Sequence, residues 1–310
     1  MEITQLRYFQ IVAEYQHISR AAEELNISQP ALSTMISRLE NELGVQLFDR
    51  QGRSIVLNKN GEFFLQRVNE ILLALDDCKR ELKDLAKQID NSISIAVTSS
   101  QFLQGMHSFM DTHKDYKWNQ RVAEVAEVKR LLNTGQCDFA VTSPGLYGSE
   151  YESTLLLRDT FKLAVHKDHP LAKKKSIRLE DALDERFIML LQGLPFRLQT
   201  DAVFAELGVQ PHYVIECDHL LRKELINANA GVTIASESAS FRHLYSDDIV
   251  FLDIEGLQQT REIVLSYRKG HYLSRADREF KDYLINRFKK AIPLGQSDQQ
   301  SSSYVPERNR

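Results

Sequence analysis

The sequence is poor in cysteine and has no long apolar run, and both absences exclude classes of protein. Its three cysteines, Cys78, Cys137 and Cys217, are too few and too scattered for a disulfide framework or a zinc site. We therefore expect reduced thiols, no metal and no cofactor. No stretch approaches the length of a transmembrane helix, and charged residues interrupt the N-terminus where a secretion signal needs an apolar core. These features predict a cytoplasmic protein without membrane contact.

Motifs typical of common catalytic sites are also missing. The chain has no glycine-rich phosphate loop and no HExxH, CxxC or nucleophile-elbow pattern, so we expect no catalytic residues and no enzyme. The composition, with 43% hydrophobic and 26% charged residues, is ordinary for a globular protein. A length of 310 residues favours about two domains.

The net charge of −4 gives no general support for nucleic-acid binding. Residues 1–65 carry six Lys/Arg against eight Asp/Glu, whereas residues 46–61 carry Arg50, Arg53 and Lys59 against Asp49 alone. A local basic segment of this kind can hold phosphates, and its binding should be sensitive to salt.

Residues 18–37 have the pattern of two short helices that meet at a tight turn. Ser19 precedes a run of helix formers, Asn26 ends the first helix, Ser28 can cap the second, and Pro30 falls in its first turn. The second helix has one apolar side, formed by Leu32, Ile36 and Leu39. Its other side carries hydrogen-bonding residues, namely Gln29, Ser33, Thr34 and Ser37. This is a helix-turn-helix whose polar face can enter a DNA groove.

A short two-stranded wing is predicted after this helix. Gly44 ends the helix, residues 47–50 form an apolar strand, Gln51-Gly52-Arg53 turns, and residues 55–57 alternate back. The wing places Arg50 and Arg53 near its tip.

At this point the chain resembles the LysR-type transcriptional regulators. The matching segments are Leu6-Arg7-Tyr8-Phe9, Ser19 to Leu25, Ser28-Gln29-Pro30-Ala31-Leu32-Ser33, Arg38-Leu39-Glu40, Leu43-Gly44-Val45, Leu47-Phe48-Asp49-Arg50 and Leu57 to Gly61. The resemblance implies an α/β protein with an N-terminal winged helix-turn-helix, a long linker helix and a C-terminal two-lobed sensor like the type 2 periplasmic binding proteins. It also implies a ligand-responsive regulator that binds double-stranded promoter DNA as a homodimer or homotetramer.

The resemblance and the pattern along the chain together predict four segments. They are a DNA-binding domain at 1–59 with its helix-turn-helix at about 18–37, a dimerisation helix at 60–89, an effector-binding domain at 90–293 and a disordered tail at 294–310. Within the effector-binding domain we expect lobe one at 92–163 plus 268–293 and lobe two at 164–267.

The predicted DNA contacts come from the reading helix and the wing. Glutamine can pair with adenine, serine and threonine can reach bases or phosphates, and arginine suits the minor groove or the backbone. Relatives often have basic residues at the positions of Thr34 and Ser37, so phosphate contact here depends more on the arginines. The candidates are Ser19, Ser28, Gln29, Pro30, Ser33, Thr34, Arg38, Arg50 and Arg53.

A heptad pattern runs along the predicted linker helix, which Asn60 can cap and which extends from Gly61 to about Lys87. Apolar residues recur at alternating steps of four and three, a spacing typical of a helix packed against a partner helix. The seam consists of Phe64, Val68, Ile71, Leu75, Cys78, Leu82 and Leu85. We favour a second copy of the chain as the partner, and packing within the chain is the alternative.

Beyond residue 92 strands alternate with helices, as in an α/β domain. The predicted strands are 93–97, 139–144, 161–166, 187–191, 212–217, 231–235 and 263–268. The predicted helices lie near 103–113, 124–134, 197–207, 218–229 and 275–291.

Ligands bind at the carboxyl ends of strands in open α/β sheets, and the resemblance places a small effector between the lobes. The candidates there are Thr98, Ser99, Ser100, Gln101, Thr142, Ser143, Gln192, Phe196, Arg197 and Cys217. Arg197 would neutralise a carboxylate, which favours a small organic acid. Simple helix capping is the alternative role of Thr98 to Ser100.

Two other functions stay open at this stage. A thiol-switched regulator would use Cys217 with Cys137, although packing of inert thiols is the more common role of such residues. A two-lobed binding protein or enzyme without DNA function would need an export signal or a catalytic constellation.

Overall fold

Three short helices and a two-stranded sheet form the N-terminal part of the chain. The computed structural model describes residues 1–51, 54–86, 91–236 and 245–290. It divides into one unit of residues 1–91, 130–137 and 270–274 and a second unit that contains the other described residues. The three N-terminal helices are α1 (Ile3–Tyr15), α2 (Ile18–Glu24) and α3 (Gln29–Leu43).

The caps of α2 and α3 are only partly those that the sequence suggests. Ser28 caps α3 as predicted, because its Oγ accepts a hydrogen bond of 3.4 Å from the Ala31 N–H. The cap of α2 is His17, whose imidazole accepts from the Arg20 N–H, so the helix begins at Ile18 and includes Ser19 instead of starting after it.

The turn between α2 and α3 depends on a left-handed residue. Asn26 has φ +53°, a conformation that asparagine tolerates better than most residues. The Ile27 N–H then donates to the Ala22 carbonyl at 3.0 Å, which closes the turn. Pro30 lies in the first turn of α3, and Gly44, with φ +72°, ends that helix.

The wing forms as predicted, from β1 (Phe48–Gln51) paired antiparallel with β2 (Ser54–Leu57). A buried carboxylate sets its start: Glu40 accepts hydrogen bonds from the backbone N–H groups of Leu47, at 2.8 Å, and Phe48, at 3.4 Å. Because two backbone donors would otherwise be buried without a partner, Glu40 fixes the path from α3 into the wing.

The helices and the wing share one core, in which the Phe9 ring lies 5.5 Å from that of Phe48 and 5.0 Å from that of Phe64. Phe64 belongs to α4 (Lys59–Leu85), a helix of 27 residues. Asn58 caps this helix through a 3.0 Å bond from the Gly61 N–H, so the expectation that Asn60 caps it is wrong.

The described residues from 92 onward form ten strands and five α-helices. The strands are β3 (Ser92–Val97), β4 (Lys117–Val122), β5 (Phe139–Thr142), β6 (Tyr151–His166), β7 (Ser176–Ile177), β8 (Phe187–Leu190), β9 (Tyr213–Cys217), β10 (Thr233–Ser236), β11 (Ile249–Ile254) and β12 (Thr260–Arg268). The helices are α5 (His107–Thr112), α6 (Val125–Asn133), α7 (Pro195–Glu206), α8 (His219–Asn227) and α9 (Arg275–Lys290). None of the described helices has the length and apolar character to cross a bilayer.

One long strand, β6, runs through both lobes. Its residues 151–160 pair with β12 beside β5, β3 and β4, whereas residues 161–166 pair with β10 and β11. Strands β8 and β9 form a separate parallel pair in the second lobe. This is the two-lobed α/β architecture expected, with β6 and β12 as the strands between the lobes.

Local signals miss three strands and misjudge one helix. Strands β4, β7 and β11 were not predicted; β4 has mostly exposed, polar side chains at one edge of the sheet, so it carries no apolar alternation. The predicted helix 103–113 is a 3₁₀ turn at Ser100–Leu103 and a separate α5, because Gly105 has φ +81° between them. The predicted tail 294–310 lies outside the described residues.

Candidate functional site

The α3 helix presents a polar face opposite its apolar one. Leu32, Ile36 and Leu39 are buried in the N-terminal core. The side chains on the opposite face are exposed, namely Gln29, Pro30, Thr34, Ser37 and Arg38, with Ser33 half-buried beside them. This separation leaves a row of hydrogen-bonding groups that are not needed for packing.

Two hydroxyls of the predicted DNA contacts already have partners. The Ser28 Oγ accepts from Ala31, and the Thr34 Oγ1 donates to the Pro30 carbonyl at 2.8 Å. Each oxygen retains a lone pair, but Ser28 is primarily a helix cap. Ser19 is exposed on α2.

The structure describes the three arginines predicted to contact DNA to different extents. Arg38 is exposed at the surface of α3. Arg50 lies in β1, where its Cα is opposite that of Ile55, but its side chain lies outside the described residues, as does the whole of Arg53. The predicted contacts of the wing arginines therefore stay predictions.

A cavity of about 100 Å³, which we call the central cavity, lies in the second unit. Its lining combines hydroxyl groups, apolar side chains, one imidazole and one guanidinium. The residues are Thr98, Ser99, Ser100, Phe102, Val122, Ser143, Leu194, Pro195, Phe196, His219 and Arg261. Thr98 follows β3, Ser143 follows β5, and Phe196 is in α7, so both lobes contribute walls.

Hydroxyl oxygens in this lining already accept hydrogen bonds from the protein. The Thr98 Oγ1 accepts from the Ser143 N–H at 3.1 Å, and the Ser99 Oγ accepts from the Gln101 N–H at 3.3 Å. The Ser143 Oγ accepts from the Gln199 amide at 2.9 Å and from Arg261 Nε at 3.3 Å. Because the Ser143 oxygen accepts two hydrogen bonds, its hydroxyl is best placed to donate its own proton to a ligand.

Arg261 brings a buried positive charge to the cavity. It is 6% exposed, and its guanidinium carbon lies 4.6 Å from the centre of the Phe196 ring and 5.4 Å from that of Phe102. Burial lowers the pKa of Arg261 to about 10, while the charge of Asp159, directly opposite on β6, acts in the other direction. Arg261 is thus cationic at neutral pH.

His219 is held in its neutral form. Burial is the main cause that lowers the pKa of its imidazole to about 4, and the charges of Arg222 and Arg261 act in the same direction. Its Nδ1 has no hydrogen-bond partner within the described part of the chain. A neutral imidazole beside a fixed guanidinium adds polarity without a second charge.

Comparison with known proteins gives the family. The model of the bacterial regulatory helix-turn-helix protein of the lysR family matches residues 3–62, and that of the LysR substrate binding domain matches residues 87–289. The chain belongs to the LysR family of transcriptional regulators. It is a DNA-binding regulator with an effector-binding domain.

Relatives match along nearly the whole chain. The uncharacterized HTH-type transcriptional regulator YybE of Bacillus subtilis is 31% identical over 293 residues, 93% of this chain and 99% of the relative. The RuBisCO operon transcriptional regulator of Allochromatium vinosum is 27% identical, and the match covers 92% of this chain and 96% of the relative. A full-length OxyR variant from Pseudomonas aeruginosa shares the fold, with a TM-score of 0.65 at 20% identity, over 93% of this chain and 95% of that one.

In this LysR-family chain Arg197 is not among the lining residues of the central cavity. Its guanidinium donates to Glu216 at 2.5 Å, to Asp201 at 2.7 Å and to the Leu190 carbonyl at 2.6 Å. It lines a different cavity, beside Tyr213. Two carboxylates thus balance the charge of Arg197, and the arginine that lines the central cavity is Arg261.

The other predicted effector residues divide into two groups. Thr98, Ser99, Ser100, Ser143 and Phe196 line the central cavity, and Gln101 lines a neighbouring one. Thr142, Gln192 and Cys217 are not among the lining residues of either cavity. Thr142 and Cys217 are buried, and Gln192 is exposed.

The thiol alternative finds no support in the environment of Cys217. Its Sγ donates to the Met189 carbonyl at 3.7 Å, and burial raises the pKa of the thiol. A sensing cysteine needs a lowered pKa and access to the oxidant. Cys217 has neither feature.

The seam on α4 also needs correction at its first end. Val68 is fully buried and Phe64 packs against Phe9, both within the N-terminal core, so these two side chains are engaged inside the chain. Further along the helix Leu75 is half-buried. The exposed apolar positions of α4 larger than alanine, which we call the linker stripe, are Phe63, Ile71, Cys78, Leu82 and Leu85.

Sequence reasoning missed Arg261, His219 and Phe102. Arg261 lies near the start of β12, but the sequence predicts this strand only from Ile263. The prediction therefore does not indicate that the Arg261 side chain is buried. Extending the apolar alternation of β12 by one step to Arg261 is the signal that would have found it.

For the DNA-binding face, we predict that Gln29→Ala lowers specific DNA affinity by about 1–3 kcal/mol without a change in thermal stability. Arg38→Ala should weaken binding to all sequences and reduce the slope of log K against log salt by about 1. Fluorescence anisotropy at several salt concentrations measures both, with exposed Glu23→Ala on α2 as the control. Unchanged affinity in both variants would contradict this placement of the DNA surface.

For the central cavity, we predict a pH dependence of stability caused by His219. The unfolded imidazole titrates near 6.5 and the folded one near 4, so the unfolded state binds more protons between these values. The free energy of unfolding should therefore fall as pH decreases through this window. His219→Gln should remove up to about 3 kcal/mol of that loss, whereas exposed His107→Gln should not. Urea denaturation at each pH measures the free energy of unfolding. Parallel curves of this free energy against pH for wild type and His219→Gln would exclude the effect.

Proposed function

We propose that this regulator binds a small organic anion in the central cavity and that the bound anion modulates promoter binding or activation. The observation that carries the proposal is the buried Arg261 guanidinium beside hydroxyl groups whose oxygens already accept hydrogen bonds. Such a lining offers donors and positive charge, which are complementary to a carboxylate.

The position of the cavity suggests how a ligand signals. Its walls come from both lobes, and Arg261 lies on β12, one of the strands between them. A ligand that contacts both walls binds one lobe arrangement better than another, and only such a difference in affinity shifts the equilibrium. The lobe arrangement would then be transmitted to the DNA-binding part.

We propose that the segments of the chain have the functions that the sequence suggests. Residues 1–59 bind DNA, residues 60–89 pair two subunits, and residues 90–293 bind the effector. Promoter DNA as the partner favours action in the cytoplasm, and the relatives are transcriptional regulators, so we expect no enzymatic activity.

The linker stripe supports a second copy of the chain as the partner of α4. Ile71, Cys78 and Leu85 are seven residues apart, and Leu82 continues the heptad by a step of four. Leu82 is 60% exposed and Leu85 is 74% exposed. Apolar side chains that repeat at heptad spacing and face solvent are stabilised when a partner helix covers them.

We predict that the double substitution Leu82→Glu and Leu85→Glu shifts the protein toward monomer, because it places charge in the paired helices. Thermal stability measured at low concentration should change little, since both side chains are exposed. Sedimentation velocity measures the shift. Lys83→Glu, an exposed change on the same helix, is the control. A double variant with the oligomeric state of the wild type would contradict the proposed interface.

The effector proposal is tested with a panel of small carboxylates, their amides and their alcohols. We expect a carboxylate to raise the melting temperature and to change promoter affinity, whereas its neutral analogues do neither. Ser143→Ala removes one donor of the cavity and should weaken binding about tenfold, and exposed Ser108→Ala should not. Equal responses to carboxylates and neutral analogues would contradict an anionic effector.

A further inference from the structure

A second cavity adjoins the central one. It measures about 240 Å³, and its lining is rich in basic and amide side chains, namely Ser100, Gln101, Gln104, His219, Leu220, Arg222, Lys223 and Tyr245. Ser100 and His219 line both cavities, so the two are neighbours that meet at these side chains. The second cavity is more than twice as large as the central one.

Arg222 gives the second cavity a buried cation with an unused donor. The residue is 6% exposed, its Nη1 donates to the Ile234 carbonyl and its Nη2 to the Tyr245 hydroxyl, both at 3.3 Å. Its Nε has no hydrogen-bond partner among the residues that the structure describes. A buried charged donor without an acceptor is costly, so an acceptor supplied by a ligand would be stabilising.

Among the described lining residues of the two cavities, all the charged side chains are basic. Arg222 and Arg261 both lie against the Phe196 ring, at 5.2 Å and 4.6 Å from its centre. Asp159 faces Arg261, and the carboxylate of Asp218 accepts the N–H groups of Leu220 and Leu221, both at 2.9 Å, where it caps α8.

Lys223 adds an exposed amine to the second cavity. The described lining of the second cavity therefore contains two cationic side chains, Arg222 and Lys223, and no carboxylate.

We propose that the effector is an elongated organic dianion with one acidic group in the central cavity and the other beside Arg222 and Lys223. This inference rests on the proposed effector function and names its ligand class. Each cavity has its own cation and donors, and the two meet at Ser100 and His219. A short carbon chain that passes these two side chains would join the acidic groups.

The test is isothermal titration calorimetry of the full-length protein with matched pairs of acids. Succinate, glutarate and adipate are compared with butyrate, pentanoate and hexanoate, and inorganic phosphate serves as a compact anion. We expect at least one dicarboxylate to bind about tenfold or more tightly than the monocarboxylate of the same length, because a second charged contact forms.

Variants at the second cavity separate its contribution. Lys223→Gln and Arg222→Lys should reduce this preference several-fold and leave monocarboxylate affinity unchanged, with exposed Lys114→Gln as the matched control. Circular dichroism checks that Arg222→Lys folds, and Lys223→Gln keeps the test valid if it does not.

The alternative outcomes are distinct. Equal affinity within every pair, or phosphate tighter than every dicarboxylate, would overturn the dianion and leave an anionic effector in place. Binding of no anion at all would overturn both proposals.

Discussion

The buried guanidinium of Arg261 is the constraint on which the sensor depends. A cation in this position needs compensation, and it comes from elements far apart in the chain: Asp159 on β6, the Phe102 and Phe196 rings, and the Ser143 hydroxyl. These groups keep the arginine charged at neutral pH. They also place it in the wall of the central cavity, to which both lobes contribute residues.

The N-terminal part relies on a different arrangement. Its core packs Phe9 between Phe48 and Phe64, and Glu40 fixes the path into the wing, which frees one side of α3 for recognition. With a net charge of −4, the protein as a whole is not attracted to DNA. Binding must therefore depend on a few exposed groups, and the proposed pairing of subunits would multiply these weak contacts.

Features set by neighbouring residues could be predicted from the sequence. The Ser28 cap, the Gly44 end of α3 and the wing pairing need only local chemistry, and each was found. The heptad spacing on α4 was also visible, but spacing alone does not say whether a side chain packs within the chain or against a partner. Val68, for example, has the heptad spacing of the seam but packs in the N-terminal core.

The effector site was only half predictable. Hydroxyl residues at strand ends mark it from the sequence, because strand ends meet at one edge of a sheet. Which arginine lines the central cavity depends on contacts between distant segments. Glu216 on β9 neutralises Arg197, whereas Arg261 reaches the cavity from β12.

The most direct measurement is a structure of the protein with a bound carboxylate from the panel. The account predicts that a carboxylate group of this ligand faces Arg261 in the central cavity and accepts a hydrogen bond from Ser143. A ligand bound beside Arg197, or anywhere that leaves the central cavity unchanged, would contradict it.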